Sequence, residues 1–221
     1  MNISKTEFIA LVVLMLVGFH FYNQYRLESD DYAEVDIAPI LMYDKRPPVI
    51  VAFGDSLTKG DGASPRKNYP AQLSDMLGID IINEGHSGEL SCDAARRITQ
   101  VLKRYHPDIV LIETGFEDIL AGRDRSQLKE NLEKIVKDVK NSNAIPIIIG
   151  VPDLDLVGLM ITSDIGLYEE VAQKTGALYI PDLFGPVLGN ESLKSDESHP
   201  NAKGYKTVAR SIDKFLKGLM Q

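Results

Sequence analysis

Five short segments of this chain, residues 49–53, 79–82, 109–112, 145–151 and 177–180, are apolar almost without interruption. A strand with one face in water alternates polar and apolar residues; a run apolar on both sides has to be covered on both faces. Between these runs lie stretches with helical periodicity. The clearest are residues 126–140, with Leu128, Leu132, Ile135, Val136 and Val139 on one stripe, and residues 201–219, with Tyr205, Val208, Ala209, Ile212, Phe215, Leu216 and Leu219 on another. Strands alternating with helices at this spacing predict an α/β fold: a single flavodoxin-like three-layer domain around a five-stranded parallel sheet. A length of 221 residues suits one such domain with a short appendage. No internal repeat or low-complexity tract interrupts it.

The appendage is N-terminal. Residues 8–22 carry no charged side chain and, apart from Gly18 and His20, are apolar. As a helix they would span roughly 22 Å, somewhat short of a hydrocarbon core of about 30 Å but within reach once flanking residues snorkel. The sequence that follows, from His20 to Arg26, has neither the small residues of a signal-peptidase site nor a lipobox cysteine. The expectation is an N-terminal hydrophobic helix over residues 1–27 that serves as an uncleaved membrane anchor, with a cleaved signal as the rival. Residues 28–48, acidic and then punctuated by Pro39, Pro47 and Pro48, read as a linker, and residues 49–221 as the folded domain, facing outward into an extracytoplasmic (periplasmic) space. A net charge of -8 with no Lys/Arg run speaks against nucleic acid as a partner. Cys92 is the only cysteine, so neither an internal disulfide nor a cysteine metal cluster is expected.

Chemistry is expected where the first strand ends. The run breaks at Gly54 and delivers Asp55 and Ser56 into the loop beyond, where open α/β sheets bind their ligands. Asp55 reads as ordering that loop through backbone amides. Near the other end of the chain, Ser195-Asp196-Glu197-Ser198-His199-Pro200-Asn201 runs into the last helix. A helix entry accounts for the acids and the proline but does not call for His199. Asp196, three residues earlier, is placed to hold the imidazole Nδ1, which leaves Nε2 to take a proton from a serine hydroxyl. Ser56, His199 and Asp196 are therefore the expected catalytic residues. Four histidines without an HExxH pair argue against a zinc hydrolase, and no metal or organic cofactor is implied.

In this order and over this strand pattern, three blocks carry a resemblance. Gly54-Asp55-Ser56-Leu57, Asn83-Glu84-Gly85-His86-Ser87-Gly88 and Asp196-Glu197-Ser198-His199-Pro200-Asn201 resemble the nucleophile, second and final blocks of the GDSL, or SGNH, hydrolase superfamily. The small bacterial esterases of the thioesterase I, lysophospholipase and arylesterase type are the nearest in pattern. The resemblance implies a serine esterase or acyl hydrolase acting on small acyl esters, thioesters or lysophospholipids, with the amides of Ser56 and Gly85 as oxyanion donors. It departs in the third block, Gly115-Phe116-Glu117-Asp118, where Glu117 stands in the place of the usual oxyanion-hole Asn. An ionised carboxylate accepts hydrogen bonds and repels an oxyanion, whereas an amide donates. Three arrangements are open: Glu117 carries a proton, kept by burial and by its acidic neighbours Glu113 and Asp118, and donates; it turns aside and leaves two amide donors; or the protein is slow or catalytically retired. The expected activity is hydrolysis, attenuated at this position. The alternatives are a membrane-tethered binding module on the same fold and an O-deacetylase or acetyltransferase acting on envelope carbohydrate. Asp118 is expected to cap the following turn. Candidate substrate contacts are His86, which also reads as a solvent-facing loop residue, and Leu154 and Leu156 in residues 152–166, a stretch that reads equally as an apolar flap and as a packed connecting loop.

Overall fold

The computed structural model describes residues 46–154, 161–164, 166–181 and 183–219. The hydrophobic segment of residues 8–22 and most of the linker lie outside the described residues. Among the described residues no helix is long and apolar enough to cross a membrane.

Five parallel strands, β1 (Ile50–Gly54), β2 (Ile81–Gly85), β3 (Ile109–Glu113), β4 (Ile145–Ile149) and, last in the sheet, Leu178–Ile180, are ordered β2-β1-β3-β4 and then Leu178–Ile180. β1, β3 and β4 are buried along their whole length, as their unbroken apolar sequence requires. The predicted architecture and strand order are both present. β2 is displaced from its predicted place: it starts at Ile81 and runs on through Asn83 and Glu84. It lies at the sheet edge and is only partly covered, so its apolar run is short and its second half tolerates polar side chains.

The connecting helices are α1 (Ser56–Lys59), α2 (Tyr69–Leu77), α3 (Ser91–Tyr105), α4 (Phe116–Leu120) and α5 (Arg125–Asn141). α5 buries the five residues of its predicted stripe. Between β4 and the last sheet strand stand two short antiparallel strands, β5 (Pro152–Leu154) and β6 (Ile161–Asp164), and then α6 (Leu167–Thr175). The stretch predicted as flap or plain loop is thus a two-stranded ribbon at its root, and β5 abuts α4. Residues 155–160, with Leu156, lie outside the described residues. Leu178–Ile180 is β7; α7 (Gly185–Leu188) and α8 (Ala202–Gly218) complete the chain. α3 packs on α5, and α2 on α8.

The register fixes where chemistry can sit. Gly54 is level with Gly85 on one side and Glu113 on the other. The three loops that follow, containing Ser56, His86 to Gly88, and Gly115 to Asp118, therefore open side by side at the carboxyl edge of the sheet, where strand order reverses around β1. The approach is closest at Gly54. A Cβ there would lie 1.8 Å from the Glu113 carbonyl oxygen and 2.5 Å from Thr58 Oγ1. Because the first obstacle is backbone, Gly54→Ala is expected to destabilise the fold by about 3 kcal/mol, read as a lower urea midpoint at unchanged m-value. An unchanged midpoint would mean that β1 and β3 separate freely at this end.

Candidate active site

Asp55 begins the site by capping α1. Its Oδ1 accepts the Leu57 amide at 3.2 Å, and its Oδ2 accepts the Phe116 amide at 3.1 Å, across the sheet end. One carboxyl thus joins the Ser56 loop to the third block, in the ordering role the sequence suggested. Ser56 is 1% exposed, and its Oγ has no hydrogen-bond partner among the described residues. Its carbonyl oxygen accepts the amides of Gly60 and Asp61, which close α1 into a left-handed turn at Gly60.

That turn leads to the histidine loop. Tyr205 of α8 donates its hydroxyl to the Asp61 carbonyl at 2.8 Å. Gly62, at φ +85, passes so close to the loop that a Cβ would lie 2.8 Å from His199 Cβ and 2.7 Å from the Pro200 carbonyl oxygen. The first and last blocks, more than 130 residues apart in sequence (56 to 199), are therefore held together by residues 60–62. Within the last block, Asn201 caps α8 by accepting the amides of Lys203 and Gly204, while its Nδ2 donates to the carbonyls of Ser192 and Lys194. His199 stands just before this clamp.

Asp196 and His199 meet as expected. The imidazole Nδ1 is 2.9 Å from Asp196 Oδ1 and 3.1 Å from Oδ2. Asp196 Oδ1 also accepts the amides of Ser198 and His199, each at 2.9 Å. Partial burial disfavours the Asp196 charge, but these amides and the imidazole together outweigh it and hold the carboxyl below its ordinary value. A carboxylate at Nδ1 places the ring proton there and leaves Nε2 as an acceptor. Nε2 is buried and, like Ser56 Oγ, has no hydrogen-bond partner among the described residues. No hydrogen bond joins the two atoms. Catalytic hydrogen bonds are often long or poorly aligned in a resting site and form only with substrate bound, so the missing bond does not exclude the pair.

The expected amide donors fare differently. The Gly85 N–H is already taken: it donates to Asn83 Oδ1 at 2.9 Å. A Cβ on Gly85 would lie 2.1 Å from the Lys59 amide nitrogen, so a glycine is needed here for packing against α1. In the same block Gly88, at φ +73, is exposed, and its amide donates to no group among the described residues. His86 is half exposed, with its ring between Glu89 at 3.4 Å and Glu84 at 4.0 Å, which fits the solvent-facing reading. Arg97 holds this turn: it pairs with both oxygens of Glu89 and with Glu84, and lies 4.3 Å over the Phe53 ring.

Glu117 sits half-buried in the first turn of α4. Asp118 corrects its expectation: it caps α3 rather than its own turn, accepting the Ser91 amide at 2.7 Å and the Ser91 hydroxyl at 2.8 Å. Leu90, the residue preceding α3, makes no side-chain cap, so the carboxylate comes from another element. The acidic crowding expected around Glu117 is realised deeper, between Asp55 and Glu113, both fully buried. Glu113 was the residue that sequence reasoning undervalued. The signal was present: a charged side chain closes an otherwise wholly apolar strand. Leu154 closes β5, whose neighbour α4 carries Glu117.

The sequence profile of the GDSL-like lipase/acylhydrolase family matches residues 52–207. The thioesterase 1/protease 1/lysophospholipase L1 of Escherichia coli is 27% identical over 175 residues, 77% of this chain and 84% of that protein. An arylesterase of Vibrio mimicus is 33% identical over 100 residues, 43% of this chain and 50% of that one. Among solved structures, the psychrotrophic esterase EstA from Pseudoalteromonas sp., inhibited by monoethylphosphonate, superposes with a TM-score of 0.70 at 26% identity, covering 77% of this chain and 97% of that one.

Proposed function

Because this chain belongs to the GDSL-like lipase/acylhydrolase family and is a hydrolase of ester bonds, we propose that it works through Ser56, His199 and Asp196. The observation that carries this reading is the Asp196–His199 pair, whose outward Nε2 and the Ser56 hydroxyl are both buried and both without a partner. Ser56 Oγ attacks the carbonyl carbon of an ester or thioester, and Nε2 takes its proton. The imidazolium that forms is stabilised by Asp196. The oxyanion is met by the Ser56 amide and, within the second block, by the amide of Gly88 in place of the occupied one of Gly85. Collapse expels the alcohol or thiol, which leaves with the proton from Nε2. Water, deprotonated by the same nitrogen, then releases the acid and restores Ser56.

Small acyl esters, thioesters and lysophospholipids are the proposed substrates, in keeping with the names of the relatives. Glu117 in the third block supplies no amide donor, so turnover is attenuated. The test is hydrolysis of p-nitrophenyl acetate, butyrate and octanoate by the full chain, beside Ser56→Ala. Release well above the variant supports the mechanism; equal release in both would contradict it and leave the binding-module reading. That second reading draws on the same two features: no Ser56–His199 hydrogen bond, and a carboxylate where an amide is needed.

A further inference from the structure

Two buried acids lie beneath Ser56 that the proposed chemistry does not use. The β1–β3 register sets Gly54 against Glu113, so the next residue, Asp55, is delivered beside Glu113, and both acids are fully buried. Both Asp55 oxygens already accept backbone amides, from Leu57 and Phe116. Glu113 Oε2 accepts the Thr58 hydroxyl at 2.7 Å, and Thr58 Oγ1 is 3.0 Å from the Tyr69 hydroxyl. Glu113 Oε1, equally buried, receives a hydrogen from none of these groups.

Among the described residues no positively charged side chain faces the pair. The titratable groups facing it are Tyr69 of α2, Tyr205 of α8 and Glu117 of α4, with Asp61 beyond Tyr205; every one is neutral or acidic. Two ionised carboxylates side by side, out of water and without a cation, repel strongly; a proton on one of them removes the repulsion and supplies the donor that the other lacks. The free acceptor is Glu113 Oε1, so the donor is Asp55.

We propose that Asp55 and Glu113 hold a shared proton, donated from Asp55 to Glu113 Oε1, and that this bond positions Ser56 by locking its loop against β3 and the third block. The positioning half rests on the reading of Ser56 as nucleophile; the proton itself does not. Burial, and then the charge of Glu113, push Asp55 well above the ordinary carboxyl range, and burial pushes Glu113 up to about 7. Unfolded, the two acids return to about 3.9 and 4.3. Their contribution to stability is therefore complete below about pH 4 and is lost as pH rises. For Glu113 the loss is finished just above about 7; for Asp55 it continues higher.

The direct test is infrared spectroscopy of the full chain at about pH 8, where ordinary carboxyls are ionised. A protonated carboxyl C=O band is expected in the wild type and in Ser56→Ala, and is expected to vanish in Asp55→Asn and in Glu113→Gln. No band in the wild type, or a band surviving in both acid variants, would overturn the shared proton whatever Ser56 does. Positioning is read kinetically. Glu113→Leu is expected to lose about 10- to 100-fold in kcat with KM little changed, while Glu113→Gln, whose amide can donate in the proton's place, recovers most of it and flattens the alkaline limb of the pH profile. Equal kcat in the Leu and Gln variants, with the infrared band present in the wild type, would overturn positioning alone. If the Glu113 variants fail to fold, Asp55→Asn still reads the band.

Discussion

Ser56→Ala is expected to lower kcat on a p-nitrophenyl ester by about 10⁴-fold or more while leaving the fold intact. Ser56 is 1% exposed and its hydroxyl makes no hydrogen bond among the described residues, so its removal costs the structure little. In the proposed mechanism its whole contribution is nucleophilic. His199→Ala is expected to cost a similar factor. The double variant should be scarcely worse than either single one, because serine and imidazole act as one unit. Asp196→Asn tests the tautomer: an amide at Nδ1 can present its NH2 and turn the ring over, so kcat falls although the loop keeps its shape. Circular dichroism and steady-state kinetics on the four variants beside the wild type decide the matter. A Ser56→Ala protein within tenfold of the wild type would remove the serine from the mechanism.

Glu117→Asn is expected to act in the opposite direction, raising kcat by about 100-fold or more if the new amide reaches the oxyanion. Glu117 lies half-buried in α4, immediately after Phe116, whose own amide is already bound by Asp55. The helix therefore leaves the side chain at position 117 as the third block's means of meeting the oxyanion. A carboxylate there opposes the negative charge that develops on the carbonyl oxygen; an amide attracts it. Glu117→Gln separates charge from reach, being neutral but one methylene longer than Asn. An increase with Asn and a smaller one with Gln would fit this reading. A decrease with both would mean that the carboxylate itself takes part in turnover.

The sequence carried the sheet because β1, β3 and β4 are buried on both faces and so had to be written in apolar residues. It misplaced β2, since an edge strand need not be apolar and Asn83 and Glu84 belong to it. Asp196 and His199 were legible because three residues of loop bring carboxylate and ring together almost independently of the rest. The fate of the Gly85 amide was not legible. It depends on the Asn83 side chain turning back on its own strand, which no local pattern announces. Asp118 was assigned to the nearest helix end, whereas the fold gives it to α3, 27 residues earlier in the chain. Such contacts belong to the register of the sheet and to the helices stacked above it. The Asp55–Glu113 contact is of the same kind: it follows from β1 lying level with β3, and only the unexpected charge at the end of a buried strand hinted at it.

The central claim is that Ser56 is a nucleophile made reactive by His199 Nε2. It is tested most directly by treating the full chain with a fluorophosphonate and locating the adduct by peptide mass spectrometry. One adduct on Ser56, formed in the wild type and lost in His199→Ala, is the predicted result. An unmodified Ser56, or labelling that proceeds equally well without the histidine, would contradict it.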